Sequence, residues 1–248
     1  MASYRKKRID QRLVEEGLAP SRARAADLVR RGCVLIGGEP ALKPGATIAD
    51  DVVLALAPGT DAHVSRGALK LAAALEAFEF SPEGRVALDV GASTGGFTEI
   101  LLARGAARVY AVDVGRDQLH ESLRADPRIV SLEGTDARTI DAALVPEPVS
   151  AIVADVSFIS LTQALPAALT RAAPDAWLAV LVKPQFEAGR EAVGKGGLVR
   201  DEADRQRAIA RVRGFLQGLG WGVVGVIQSP ITGGSGNVEY LIGARNDR

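Results

Sequence analysis

Residues 86–97 read VALDVGASTGGF. An apolar strand segment runs straight into a loop holding Gly91, Gly95 and Gly96, and the loop opens a helical segment. A strand, a glycine turn and a helix form the opening unit of a doubly wound sheet. The rest of the chain repeats that alternation. Strands are expected at Val86–Asp89, Arg108–Asp113, Ile129–Glu133, Val149–Asp155, Ala176–Lys183, Gly222–Ile227 and Glu239–Gly243. Helices are expected at Gly96–Ala103, Asp117–Arg124, Leu161–Ala173 (with Pro166 inside it) and Asp201–Leu219. Strands alternating with helices predict an α/β fold, a parallel sheet with helices on both faces. Ahead of the first strand, Leu71, Leu75 and Phe78 form an apolar stripe at helical spacing, with Ser65 as the expected cap.

The first sixty residues are different in kind. They carry ten basic and seven acidic side chains, whereas the whole chain balances 30 against 30. Ile9, Leu13 and Val14 mark a short helix closed by Gly17, and Ser21 can cap a second one ending at Gly32. Val34–Ile36, a Gly37-Gly38 turn and a strand at Val52–Leu56 complete a small α+β module. Arginines at and beside both helices suit phosphate contacts, because the guanidinium fork matches phosphate geometry. Pro58-Gly59-Thr60-Asp61 reads as a break. The expected organisation is therefore a module over residues 1–58, a linker over 59–64 and a second domain over 65–248.

Cys33 is the only cysteine, which excludes a disulfide within the chain and a zinc cluster. MASYRKKRID has no apolar stretch behind its charges, and Ala176–Val182 is too short to span a bilayer. A cytoplasmic protein is expected.

The glycine loop points to a nucleotide-like cofactor. Its spacing is G-x-x-x-G-G rather than the dinucleotide pattern, and Asp89 precedes it by two. An acid there would repel a pyrophosphate but suits the ammonium and sulfonium of S-adenosylmethionine. Asp113 ends the next strand, where an acid can accept hydrogen bonds from ribose hydroxyls, and Asp136 follows the third strand, within reach of an adenine amino group. The cofactor set expected is Asp89, Gly91, Ser93, Thr94, Gly95, Gly96, Phe97, Asp113, Asp136 and Asp155.

Four charged residues stand at element ends: Lys70 in SRGALKL, Asp155 in ADVSFIS, Lys183 in LVKPQF and Glu239 in GNVEY. Two lysines and two acids suit removal of a proton from a sugar hydroxyl, a poor nucleophile without such help. A lysine near a second lysine is pushed toward neutrality, and nearby carboxylates oppose that shift. Methyl transfer from a sulfonium needs in-line alignment and no metal. Phe158, in the loop after Asp155, can stack on a base or pack in the core.

Two resemblances sharpen these readings. R-I-D-x-x-L followed by S-R-x-x-A-x-x-L-V-x-x-G-x-V resembles the S4-type RNA-binding domain. DVGASTGGFTE, ADVSFISL, LVKPQFE and SGNVEY together resemble the TlyA hemolysin-like rRNA methyltransferases, relatives of the FtsJ-type 2′-O-methyltransferases. The resemblance implies a Rossmann-like class I methyltransferase sheet of seven strands, the last antiparallel, behind the small RNA-binding domain. It implies 2′-O-methylation of cytidine in ribosomal RNA, with the family's Lys-Asp-Lys-Glu tetrad falling on Lys70, Asp155, Lys183 and Glu239. RNA contacts are then expected from Arg8, Arg12, Ser21, Arg22, Arg24, Lys43 and Phe158. The chain stops soon after its last strand, which favours large-subunit over small-subunit rRNA. The rivals are an RNA-binding ribosome assembly factor without catalysis and a membrane-active hemolysin, the latter lacking any basic amphipathic helix with bulky aromatics.

Overall fold

In a computed structural model the chain forms two compact units, Met1–Arg66 and Gly67–Arg248. Residues 6–19, 22–30, 32–41, 43–58 and 63–247 are described.

The first unit opens with strand β1 (Lys6–Arg8), which leads directly into helix α1 (Ile9–Glu15), and α2 (Arg22–Arg30) comes next. Gly17 and Gly32 terminate these helices with φ of 72° and 66°, values that favour glycine. β2 (Val34–Ile36) and β3 (Glu39–Pro40) form a hairpin through Gly37 and Gly38, both at positive φ. β4 (Thr47–Ala49) pairs antiparallel with β1, and β5 (Leu54–Leu56) with β2. β5 starts two residues later than its expected span. Ile9, Leu13, Ala25, Leu28, Val29 and Val34 are buried together as the core. β1, β3 and β4 are two or three residues long, too short to show a period in the sequence.

The second unit begins with α3 (Gly67–Ala77), whose first helical residue lies two past Ser65. Then come β6 (Val86–Val90), α4 (Gly96–Ala103), β7 (Arg108–Asp113), α5 (Glu121–Arg124), β8 (Ile129–Glu133), β9 (Val149–Ala154) and α6 (Leu161–Leu169). β10 (Ala172–Val182), α7 (Pro184–Glu187), α8 (Glu202–Gly218), β11 (Trp221–Gln228) and β12 (Tyr240–Asn246) complete it. The sheet order is β11-β12-β10-β9-β6-β7-β8. Pairings from β8 through β10 are parallel, while β12 runs antiparallel to both neighbours. This is the expected α/β class, seven strands with the last reversed. The central strands are buried on both sides and read as unbroken apolar runs, such as AIVA at 151–154.

Several boundaries differ from the expected spans: α5 starts at Glu121 rather than Asp117, β10 starts at Ala172 rather than Ala176, and β12 runs to Asn246 rather than Gly243. α6 ends at Leu169 because Ala172 already pairs with Val149. Pro166 sits inside α6 and withholds one backbone donor there. The short α7 is not expected from the sequence, since Pro184 masks a four-residue turn.

Candidate active site

The site lies where β6, β7, β9 and β10 end. β6 closes at Val90, and Gly91 turns the chain at φ 84°. A side chain at 91 would place its Cβ 2.6 Å from the carbonyl oxygen of Asp155. Gly91 is therefore required by close packing of two strand ends, and its N–H donates to Val112 O at 2.8 Å. Gly95, at φ 95°, precedes α4, and a Cβ there would sit 2.8 Å from Leu119 Cδ1. At Gly91 and Gly95 a side chain would collide with neighbouring protein atoms.

Asp113 fastens this loop to the end of β7. Its Oδ2 accepts from Ser93 N at 2.8 Å, and its Oδ1 from Gly115 N at 2.7 Å. Glu133, at the end of β8, accepts from Gln118 N and Leu119 N at 2.6 and 3.0 Å, ordering the next loop. These loops enclose a cavity of about 640 Å³, whose lining includes Gly91, Ser93, Asp113, Asp136, Asp155 and Phe158. That volume lies within the range of small-molecule sites. Three carboxylates line it, with Arg138 the one cationic side chain among its described lining residues. Asp136 caps a 3₁₀ turn at Ala137–Thr139 and accepts from the Arg138 guanidinium, which holds its carboxyl down at about 2.

Five of the expected cofactor residues do not line this cavity: Asp89, Thr94, Gly95, Gly96 and Phe97. Asp89 is fully buried in β6 and accepts from Thr98 Oγ1 at 2.7 Å. Its Oδ1 has no hydrogen-bond partner, and burial pushes the carboxyl up to about 7. It lies beneath the loop. Phe97 is buried in α4, and Thr94 O accepts from His120 N.

The four tetrad residues form two ion pairs. Lys183 Nζ lies 2.7 Å from Asp155 Oδ1 and donates to Ser157 Oγ at 2.7 Å. Lys70 Nζ lies 2.6 Å from Glu239 Oε2, and both side chains are buried. Removing one partner of such a pair typically costs about 3–5 kcal/mol. Lys183 and Glu239 line a second cavity, of about 300 Å³, together with Ser157, Phe158 and Phe186. Lys70 is not among its lining residues and reaches it through Glu239.

Ser157 and Phe158 line both cavities. Phe158 is 91% exposed, adopts φ 66°, and its ring centroid lies 5.3 Å from that of Phe186. It is not a core residue. Sequence reasoning misses Ser157, Phe186 and Glu187, although all three stand inside the motifs quoted for their neighbours. Glu187 is buried and accepts from Ser160 Oγ at 2.5 Å and Leu161 N at 2.7 Å. Asn237 ties a neighbouring wall, accepting from Val199 N at 2.9 Å and donating to Gly197 O at 2.8 Å. Among the described residues no three His, Cys, Asp or Glu side chains cluster as metal ligands.

In the first unit, Asp10 is buried and accepts from Arg8 at 2.9 and 2.7 Å, with Arg22 3.4 Å away. The Arg8 bond chiefly holds the Asp10 carboxyl down at about 2. Both arginines keep about half or more of their side-chain surface exposed, and Lys43 is exposed. Arg12 corrects the expectation made for it. It is buried, donates to Ala49 O at 2.8 Å and pairs with Glu16, so it braces α1 against the end of β4. Ser21 and the Arg24 side chain lie outside the described residues.

The FtsJ-like methyltransferase family matches residues 63–246, and the S4 domain matches residues 7–53. The chain is 51% identical over 242 residues to the 16S/23S rRNA (cytidine-2'-O)-methyltransferase TlyA of Mycobacterium tuberculosis, covering 97% of this chain and 90% of that one. It is 38% identical over 183 residues to the 23S rRNA (cytidine-2'-O)-methyltransferase TlyA of Campylobacter jejuni, covering 73% and 70%. A solved structure named as a hemolysin, from Streptococcus thermophilus, matches with a TM-score of 0.76 at 40% identity, covering 98% of this chain and 90% of that one.

Proposed function

The chain belongs to the FtsJ-like methyltransferase family, in its S4-bearing TlyA branch, and from that premise we propose that it methylates the ribose 2′-oxygen of a cytidine in ribosomal RNA, using S-adenosylmethionine. The observation that carries the reading is the pair of ion pairs, Lys183–Asp155 and Lys70–Glu239, at the sheet edge beside the larger cavity.

The larger cavity fits the cofactor by volume and by its carboxylates, which suit a cationic ligand. Gly91, Ser93 and Asp113 would hold it along the ends of β6 and β7, with Asp136 and Asp155 at either side. When bound, S-adenosylmethionine supplies an electrophilic methyl carbon on a sulfonium. The protein's own contribution is alignment and charge. Asp155 and Ser157 orient Lys183, which as a neutral amine would receive the proton leaving the 2′-hydroxyl and as an ammonium would stabilise the developing oxyanion. Glu239, held by Lys70, positions the ribose in the smaller cavity. Phe158, which is exposed and lines both cavities, would stack on a base.

The S4 domain supplies RNA affinity through Arg8, Arg22 and Lys43, with the ribosome or its RNA as partner. No described helix is long and apolar enough to cross a membrane. A cytoplasmic enzyme is the reading that suits an rRNA substrate. Large-subunit rRNA is the first target to test, because both relatives' names include 23S. Mass spectrometry of rRNA fragments from cells with and without the protein tests the function. A ribose methyl that disappears with the gene supports it, and identical rRNA from both strains refutes it.

A further inference from the structure

Lys183 immediately precedes α7, and Glu187 is the last residue of that four-residue helix. From there Glu187 reaches back across the sheet edge to the start of α6. Its Oε2 accepts from Ser160 Oγ at 2.5 Å and its Oε1 from Leu161 N at 2.7 Å. The segment 155–160 is thus fastened to the segment 183–187 at both ends. At one end stands the Asp155–Lys183 ion pair, at the other the Ser160–Glu187 bond. Ser157, between them, accepts from Lys183. Arg211 of α8 donates to Glu187 O at 3.0 Å, which ties the same short helix to a long one.

We propose that Glu187 is a positioning residue for methyl transfer, its carboxylate locking the loop that carries Asp155 and Ser157 to the turn that carries Lys183. This rests on the reading that Lys183 acts on the 2′-hydroxyl. Ser160 caps α6 by accepting from Thr162 N, which leaves the first helical donor, Leu161 N, to Glu187. Glu187 is only 3% exposed, and Arg211 bonds its backbone oxygen rather than its carboxylate. Burial raises the carboxyl above its ordinary value, opposed by the bonds from Ser160 and Leu161 and by the nearby Arg211 charge. The two acceptor oxygens provide a fixed distance between two strand ends. A lysine that must contact the ribose oxygen while that oxygen is in line with the methyl carbon depends on that distance, because a displacement of about 1 Å can cost about 100-fold in rate.

The test is turnover by the full-length protein on rRNA from cells lacking it, with cofactor and RNA affinities measured in parallel. Glu187→Ala should lower kcat by about 10- to 100-fold while both affinities stay within a few-fold of the parent. Glu187→Gln should recover most of the loss, since its amide oxygen accepts from Leu161 N and its amide nitrogen donates to Ser160 Oγ. Parental kcat in Glu187→Ala overturns the proposal. So does a loss that merely tracks cofactor affinity, or a Gln variant as poor as Ala. If Glu187→Ala does not fold, Ser160→Ala removes one of the two bonds and should show a smaller kcat loss of the same kind; parental kcat there overturns it equally. Lys183→Ala in the same assay separates the two readings. A dead Lys183→Ala beside a parental Glu187→Ala rejects the clamp alone, whereas an active Lys183→Ala rejects the catalytic assignment beneath it.

Discussion

Lys183 and Glu239 stand opposite each other one residue beyond the paired ends of β10 and β12, where Val182 is matched with Tyr240. An antiparallel register brings together a lysine and a glutamate 56 positions apart in the chain. Each then meets a partner from elsewhere, Asp155 after β9 and Lys70 in α3. The reversed last strand is what makes the tetrad possible, because a parallel strand would carry its first residue to the far edge of the sheet.

Replacing Lys183 by alanine should cut methyl transfer by about 100- to 10,000-fold and leave cofactor and RNA affinities near parental, since the loss falls on the transition state. Arginine should rescue poorly, because it stays protonated and its fork does not fit a point-charge site. A deoxyribose at the target position should not react. Methylation of that deoxy substrate would move the chemistry from the sugar to the base.

Gly91→Ala should damage cofactor binding more than its size suggests. The residue sits at φ 84°, and the added Cβ would press on Asp155 O at 2.6 Å. Backbone strain of about 1–2 kcal/mol is added to displacement of a residue that serves both the cavity and Lys183. Calorimetry with S-adenosylmethionine checks this, and parental affinity with parental thermal stability would contradict it.

Asp89 makes a pH prediction. Its carboxyl titrates at about 7 in the folded protein, against an ordinary value of 3.8. Between those values the folded protein holds a proton that the unfolded chain has released, so this group's contribution to stability declines as pH rises through the window. Asp89→Asn cannot titrate. Its melting temperature minus that of the parent should grow from about pH 4 to about pH 7 and then level off. A difference independent of pH would show that the buried carboxyl does not behave this way.

Charge reversal at Arg8, Arg22 and Lys43 should weaken RNA binding and flatten its dependence on salt, by about one unit of slope for each phosphate no longer neutralised. Arg12→Ala should act differently, lowering thermal stability by removing the bonds to Ala49 O and Glu16. Filter binding across a salt series, with melting curves alongside, distinguishes the two groups. Equal salt slopes in all variants would remove the arginines from the RNA interface.

The α/β sheet is legible in the sequence because its central strands are apolar runs closed by charged or glycine residues, and those closures form the site. Lys183 and Asp155 are readable for the same reason, each coming directly after an unbroken buried apolar run, 176–182 and 151–154. Arg12 is not readable, because an arginine on a helix ordinarily faces solvent, and its burial here depends on the distant carbonyl of Ala49 and on Glu16. The offset of Asp89 from Gly91 fits a binding loop, but it equally fits a carboxyl facing Thr98 under α4, and the structure adopts the second arrangement. Glu187 carries no local signal, since its partners Ser160 and Leu161 lie 27 and 26 positions away.

Ser157 and Phe158 belong to the walls of both cavities, and Phe158 holds a left-handed backbone that costs a non-glycine residue of order 1–3 kcal/mol. A partition shared by two chambers makes them thermodynamic correspondents. Whatever occupies one chamber and alters the poise of this segment alters the affinity of the other by some factor, and the second occupant must return that same factor to the first. Titrating S-adenosylhomocysteine into the protein with and without bound RNA measures the factor directly. A value of one would mean that the chambers fill independently, and any other value that their occupants are coupled; the same titration with Phe158→Ala would then show whether the shared partition carries that coupling.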